Sequence, residues 1–119
     1  MPSEARARRV GDRIREEISE ILRREVDDPR LRMVTVTGVV VDREFGYATV
    51  YFTTIESDRK QEVLAGFKRA SGFLRSALAA RIPLRSFPRL RFRHDPSLEE
   101  GDRIENLLTQ IKRKEGHGR

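Results

Sequence analysis

The chain is 119 residues long, contains no cysteine and carries a formal net charge of +6. This length predicts a single domain, and the lack of cysteine excludes a disulfide framework, a thiolate metal site and a cysteine nucleophile. No apolar run is long enough to span a bilayer, and the N-terminus lacks the apolar core of a signal peptide. The sequence therefore predicts a cytoplasmic protein that does not associate with membranes.

The positive charge is concentrated in one stretch of the chain. Residues 59–93 contain ten basic side chains and a single acid, Glu62, whereas the rest of the chain contains fifteen basic and eighteen acidic residues. Positive charge on one side of a folded domain is typical of proteins that bind nucleic acid or another polyanion. An acidic membrane is the less favoured polyanion, because the stretch lacks a wide aromatic and leucine face beyond what a core needs.

The first predicted element is an amphipathic helix. Apolar residues between Ala7 and Leu22 recur at intervals of three and four, which predicts a helix from about Ser3 to Glu25. The helix is expected to end before Asp28 and Pro29, since proline disfavours helical backbone at the preceding residue.

A β-hairpin is predicted next. The β-branched run from Val34 to Asp42 and the alternating run from Tyr47 to Thr54 are joined by a short link that contains glycine. Tyr47 and Tyr51 fall on the outer face of this hairpin, where they either stack on bases or simply cover the sheet.

Two helical patterns meet at the tripeptide Ala70-Ser71-Gly72 within residues 61–82. The tripeptide predicts a sharp bend in which Gly72 adopts positive φ, so that helix N-terminal N–H groups and basic side chains offer a phosphate site. The alternative is a packed helical hairpin with a glycine turn and solvated basic flanks. The basic residues concerned are Lys68, Arg69, Arg75 and Arg81.

A short strand and a last helix complete the pattern. Leu90 and Phe92 alternate with Arg89, Arg91 and Arg93, so the arginines are expected to face outward, either to bind an anion or to protect an edge strand. Residues 97–100 read as a capping box that begins a helix reaching Ile111. The predicted domain comprises residues 1–113, and residues 114–119 are a disordered basic tail.

The resulting order, α-β-β-α-kink-α-β-α, is that of a type II KH domain, an α+β RNA-binding fold with a three-stranded sheet and helices on one face. The A-x-G sequence at the kink resembles the ribosome-binding factor A family, in which it replaces the G-x-x-G loop of most KH domains. Four stretches carry this resemblance in the same order: residues 27–37, residues 48–52, residues 70–75 and residues 88–97.

The resemblance implies a non-catalytic cytoplasmic factor that binds immature small ribosomal subunits and their rRNA. We expect this factor to be a monomer that needs no cofactor and no metal. It further implies a role in rRNA processing and rearrangement, also in the cold, with assembly GTPases and other maturation factors acting nearby. Combined with the charge pattern, it predicts RNA contacts at Lys68, Arg69, Ser71, Gly72, Arg75, Arg81, Arg89, Arg91 and Arg93, with Ala70, Ser71 and Gly72 forming the kink.

Two other classes remain as alternatives. An enzyme would have to use the acidic pairs at residues 27–28 and 99–100 or His94, but their positions suit helix ends and no nucleophile, base and orienting group occur together. A general RNA-binding or DNA-binding module, such as a helix-turn-helix reader, is the other alternative. The dense arginines on a predicted strand favour RNA.

Overall fold

The computed structural model describes residues 3–55 and 57–95 and contains two helices and one three-stranded sheet in that part of the chain. The elements are α1 (Glu4–Arg24), a 3-10 turn (Pro29–Leu31), β1 (Val34–Val41), β2 (Tyr47–Thr54), a second 3-10 turn (Ser57–Arg59), α2 (Lys60–Arg81) and β3 (Arg89–His94). The strands lie in the order β1-β2-β3, with β1 antiparallel and β3 parallel to β2. The predicted α+β class is confirmed. The predicted helix to Ile111 and the tail at residues 114–119 lie outside the described residues.

Helix α1 packs closely against β1. Its N-cap is Ser3, whose hydroxyl accepts a hydrogen bond from the backbone N–H of Arg6 at 3.1 Å. Gly11 is buried at the contact with the sheet, and a Cβ at this position would lie 2.5 Å from the carbonyl oxygen of Val39. Only glycine allows the helix and the strand to approach this closely.

The hairpin between β1 and β2 is closed by one carboxylate. The side chain of Asp42 accepts hydrogen bonds from the backbone N–H groups of Gly46 at 2.7 Å and Tyr47 at 3.1 Å. Phe45 adopts a φ of 61°, a left-handed conformation that non-glycine residues seldom take outside turns. These contacts hold Tyr47 at the start of β2.

The core lies between the two helices and one face of the sheet. Ala48, Val50 and Phe52 alternate along β2 and are fully buried, as the sequence pattern predicts. The Phe67 ring of α2 stacks on Phe92 of β3 with centroids 4.3 Å apart and packs against Phe52 at 5.1 Å. This aromatic cluster fixes α2 relative to β2 and β3.

The predicted bend in the second helical region is wrong. Ala70, Ser71 and Gly72 lie within the uninterrupted helix α2, and Gly72 does not adopt positive φ. A Cβ at Gly72 would meet no heavy atom within 4 Å, so no other described backbone approaches this position. A helix N-terminus with free N–H groups is therefore absent at the tripeptide, because these groups belong to the continuous hydrogen-bonded helix.

Candidate nucleic-acid interface

A groove of about 500 Å³ runs between α2 and the edge strand β3. We call it the α2–β3 groove; its lining residues are Leu64, Lys68, Ser71, Leu90, Arg91, Phe92 and Arg93. Leu64, Lys68 and Ser71 share one side of α2 because they are spaced by four and three residues. The groove thus combines apolar side chains with cationic and hydroxyl groups, a composition suited to bases together with phosphates.

The outer face of β3 carries a row of arginines beside the outer residues of β2. Arg89 pairs with Tyr47 and Arg93 with Tyr51 in the parallel register. The guanidinium carbon of Arg91 lies 3.6 Å from the centroid of the Tyr47 ring. Hydrogen bonding by Arg91, and to a lesser degree by Arg89, lowers the pKa of the Tyr47 phenol below its usual value of 10.0. The alternation of the strand, predicted from the sequence, is confirmed by its burial pattern.

Three of the predicted RNA-binding arginines, Arg75, Arg81 and Arg69, make contacts within the fold. Arg75 donates hydrogen bonds to the carbonyl oxygens of Phe87 and Pro88, at 2.6 and 3.1 Å. These bonds hold the segment that leads into β3. The guanidinium group is therefore engaged by backbone oxygens of the same chain.

Arg81 is the second of these arginines. Its guanidinium group forms ion pairs with Glu17 at 3.5 Å and with Glu25, and it donates a hydrogen bond to the carbonyl oxygen of Ala77. Because Glu17 and Glu25 belong to α1 and its C-cap, Arg81 links the two helices.

Arg69 faces the turn after α1. It forms an ion pair with the Asp28 carboxylate at 3.5 Å. Asp28 also accepts a hydrogen bond from the backbone N–H of Arg30 at 3.0 Å, which is the main cause that lowers its pKa below 3.8, while the side chains of Arg30 and Arg69 act in the same direction. Arg69 therefore points towards this turn, while its neighbour Lys68 lines the α2–β3 groove.

The structure brings four of the predicted residues together at the α2–β3 groove: Lys68, Ser71, Arg91 and Arg93. Ala70 and Gly72 lie on the same helix but do not line the groove. Sequence reasoning missed the stacking of Arg91 on Tyr47 and the place of Leu64 in the lining. The helical spacing of Leu64, Lys68 and Ser71 was a signal that could have identified the latter.

Within residues 3–55 and 57–95, no group of three or more His, Asp or Glu side chains is placed to hold a metal ion. The His94 ring packs edge-on against Phe52 with centroids 5.6 Å apart, so its position is that of a core neighbour. No helix in this part of the chain is long and apolar enough to cross a membrane.

A family model, sequence relatives and solved structures that resemble this chain all carry the same description. The family model described as ribosome-binding factor A matches residues 6–108. A relative from Thiobacillus denitrificans with that description is 47% identical over 104 residues, which covers 87% of this chain and 84% of the relative. The crystal structure of ribosome-binding factor A from Thermus thermophilus superposes with a TM-score of 0.68 at 26% identity, covering 77% of this chain and 96% of that one.

A further structural neighbour comes from a ribosomal complex. It is a homology model of the Thermus thermophilus factor as fitted into the cryo-EM map of a 30S–RbfA complex, with a TM-score of 0.54 and 30% identity. The match covers 80% of this chain and 93% of that chain.

Proposed function

Because the chain belongs to the ribosome-binding factor A family, we propose that it is a cytoplasmic factor that binds the immature small ribosomal subunit. The observation that carries the proposal is the family match over residues 6–108. The Thermus relative fitted into a map of a 30S complex supports the choice of the small subunit as partner. The cationic α2–β3 groove supplies chemistry that suits rRNA.

In this proposal the protein acts by binding and makes or breaks no bond. Lys68, Arg91 and Arg93 neutralise phosphates of rRNA and position the domain, while Ser71 contributes a hydroxyl. Arg89 adds charge next to this site. A protein that binds one rRNA arrangement more tightly than another shifts the population towards it by the difference in affinity, and no cofactor is needed.

We propose a shorter list of RNA contacts than the sequence predicts. We retain Lys68, Ser71, Arg89, Arg91 and Arg93 in the proposed interface. The guanidinium groups of Arg69, Arg75 and Arg81 are engaged within the fold, and Gly72 does not line the groove. We therefore assign these four residues to the fold.

We further propose that the protein acts as a monomer during rRNA processing and rearrangement, also in the cold, while assembly GTPases and other maturation factors act nearby. Cold makes incorrect RNA helices longer lived, so a factor that favours one arrangement has its largest effect there. We propose that residues 114–119 add electrostatic contacts only.

Sedimentation of the tagged full chain with purified immature small subunits tests this function. We expect the wild type to sediment with free small subunits and the Lys68→Gln/Arg93→Gln variant to remain at the top of the gradient at moderate salt. The matched control is Arg9→Gln/Arg15→Gln, which removes the same charge from exposed positions of α1. It should sediment like the wild type.

The same variants can be introduced into cells that lack the wild-type protein. We expect the Lys68→Gln/Arg93→Gln strain to accumulate unprocessed small-subunit rRNA at low temperature, and the control strain to process it normally. A wild type that remains at the top of the gradient at low and moderate salt would contradict the proposed function. If both double variants sediment with small subunits equally poorly, the α2–β3 groove is not the interface.

A further inference from the structure

In the described part of the chain, the sheet has an open face that neither α1 nor α2 covers. On this face, the face opposite α1 and α2, β2 and β3 present two parallel rows in register: Tyr47 beside Arg89, Thr49 beside Arg91 and Tyr51 beside Arg93. The intervening residues Ala48, Val50 and Phe52 point to the core and are fully buried, whereas the tyrosines are half-exposed. Two aromatic rings and three guanidinium groups therefore share one exposed surface.

The Arg91 guanidinium group is already stacked on one of these rings. It lies 3.6 Å above the centroid of Tyr47, although Arg91 is paired in register with Thr49. A planar guanidinium group stacks on aromatic systems and presents its second side to another π system. The stack is formed before any ligand binds. Binding of a base to it therefore costs less conformational entropy, because the Arg91 side chain is already ordered.

Tyr51 offers a second aromatic position further along β2. It follows Tyr47 by four residues, so the two side chains leave the strand about 13 Å apart. No described ring or guanidinium group stacks on Tyr51, and the small side chain of Thr49 lies between the two tyrosines. The face thus has two separate positions at which a flat group can be accommodated.

The positive charge on this face has no acidic partner within the described part of the chain. None of Arg89, Arg91 and Arg93 forms a salt bridge there. Asp95, the acid just beyond β3, is hydrogen-bonded to the Thr37 hydroxyl at 2.8 Å. Three like charges on one strand repel one another, and an anion placed over them relieves this repulsion.

We infer that the open face of the sheet is a stacking platform for the unpaired bases of a single RNA strand, with the phosphates of that strand on Arg89 and Arg93. This inference rests on the proposed function for the identity of the RNA, and it adds a second contact surface that shares Arg91 and Arg93 with the α2–β3 groove. Aromatic rings interleaved with arginines are characteristic of single-strand binding, since bases stack on the rings while cations follow the backbone. An acidic peptide would engage the arginines but would not require two partly exposed rings.

The composition of the chain makes this face directly observable. Tyr47 and Tyr51 are the only tyrosines, and there is no tryptophan, so tyrosine fluorescence reports on the open face alone. We expect hexamers of uridine and of adenosine to quench this fluorescence on titration into the full chain. An abasic hexamer with the same phosphates should bind through charge but leave the fluorescence largely unchanged.

Substitutions separate stacking from charge. Tyr51→Thr keeps a residue that suits a strand, and Tyr51→Phe keeps the ring without the hydroxyl. In anisotropy titrations of a labelled hexamer, we expect Tyr51→Thr to bind at least about fivefold more weakly and Tyr51→Phe to bind like the wild type. Tyr51→Thr should leave the salt slope of the affinity unchanged, whereas Arg93→Gln should reduce it by about 0.7. Circular dichroism confirms that each variant is folded.

The outcomes distinguish this inference from the proposed function. If the wild type sediments with small subunits but hexamers do not quench the tyrosines and Tyr51→Thr binds normally, the platform is wrong while the proposed function stands. If hexamers quench and Tyr51→Thr weakens binding, but the wild type does not sediment with small subunits, the platform stands and its RNA comes from elsewhere. Quenching by the abasic hexamer equal to that by uridine hexamers would also overturn the platform.

Discussion

Asp28 joins three parts of the fold through one carboxylate. It caps the Pro29–Leu31 turn through the backbone N–H of Arg30, and it forms an ion pair with Arg69 of α2. Gly66 of α2 lies beneath it, since a Cβ there would be 3.2 Å from the Asp28 carboxylate oxygen. The turn is therefore held against α2 at a point where the helix presents no side chain.

We expect Asp28→Ala to lower the free energy of unfolding at pH 7 by about 1–2 kcal/mol, because the cap and the ion pairs are lost together. Asp28→Asn keeps a capping oxygen and should therefore lower the free energy of unfolding by less than Asp28→Ala does. Urea unfolding at several pH values measures both effects.

The pH dependence of the Asn variant follows from the lowered pKa of Asp28 in the folded state. A carboxyl group with a lower pKa in the folded state stabilises the fold above its ordinary value of 3.8, and this stabilisation is lost as the pH falls through the folded-state value. The difference in the free energy of unfolding between the wild type and Asp28→Asn should therefore have its largest value at pH 7 and disappear in strong acid. A difference that persists unchanged in acid would show that the charge of Asp28 is not its cause.

At the scale of the elements, α2 continues where the tripeptide Ala70-Ser71-Gly72 predicts a bend. The buried residues Val63, Phe67, Leu74 and Leu78 follow spacings of four, seven and four, which keep one helical phase across the tripeptide. A single continuous helix therefore buries the apolar residues on both sides of the tripeptide in the same core. One glycine in a helix costs about 1 kcal/mol, which is less than burial of these side chains contributes.

A pair of glycine substitutions tests this account. Gly72→Ala should raise the free energy of unfolding by about 0.5–1 kcal/mol, because the position is helical and a Cβ there has open space around it. Gly11→Ala should lower it by about 1–3 kcal/mol, because the new Cβ must displace the Val39 carbonyl 2.5 Å away. Urea unfolding of both variants provides the measurement. If Gly72→Ala is as destabilising as Gly11→Ala, then Gly72 has a role that an uninterrupted helix does not explain.

Some features of these elements can be predicted from the sequence, and others cannot. The strands are predictable because burial on one face imposes a period of two, which Ala48, Val50 and Phe52 display directly. The close approach at Gly11 and the bonds from Arg75 to residues 87 and 88 depend on how separate elements pack. No local pattern contains that information. Local charge alone therefore cannot separate arginines that are engaged within the fold, such as Arg75 and Arg81, from arginines that are not.

At the scale of the whole molecule, the excess charge of residues 59–93 is divided between two tasks. Arg75 and Arg81 bond to the backbone oxygens and carboxylates of the fold, whereas Lys68 and Arg93 line the α2–β3 groove. Counterion release makes this division measurable, since each phosphate contact that is lost reduces the slope of log affinity against log salt by about 0.7–0.9. Charge that is already neutralised within the fold contributes no such contact.

We therefore expect Lys68→Gln and Arg93→Gln each to reduce this slope by about 0.7–0.9 for a structured small-subunit rRNA fragment, without lowering the midpoint of thermal unfolding. Arg81→Gln should do the reverse: it leaves Glu25 without its cation and leaves Glu17 with Arg13 alone, so it lowers the unfolding midpoint and keeps the slope of the wild type. Filter binding over a series of salt concentrations and thermal unfolding of the same preparations give both quantities. Equal slope changes in all three variants would mean that the positive charge acts as a diffuse field and that no defined interface exists.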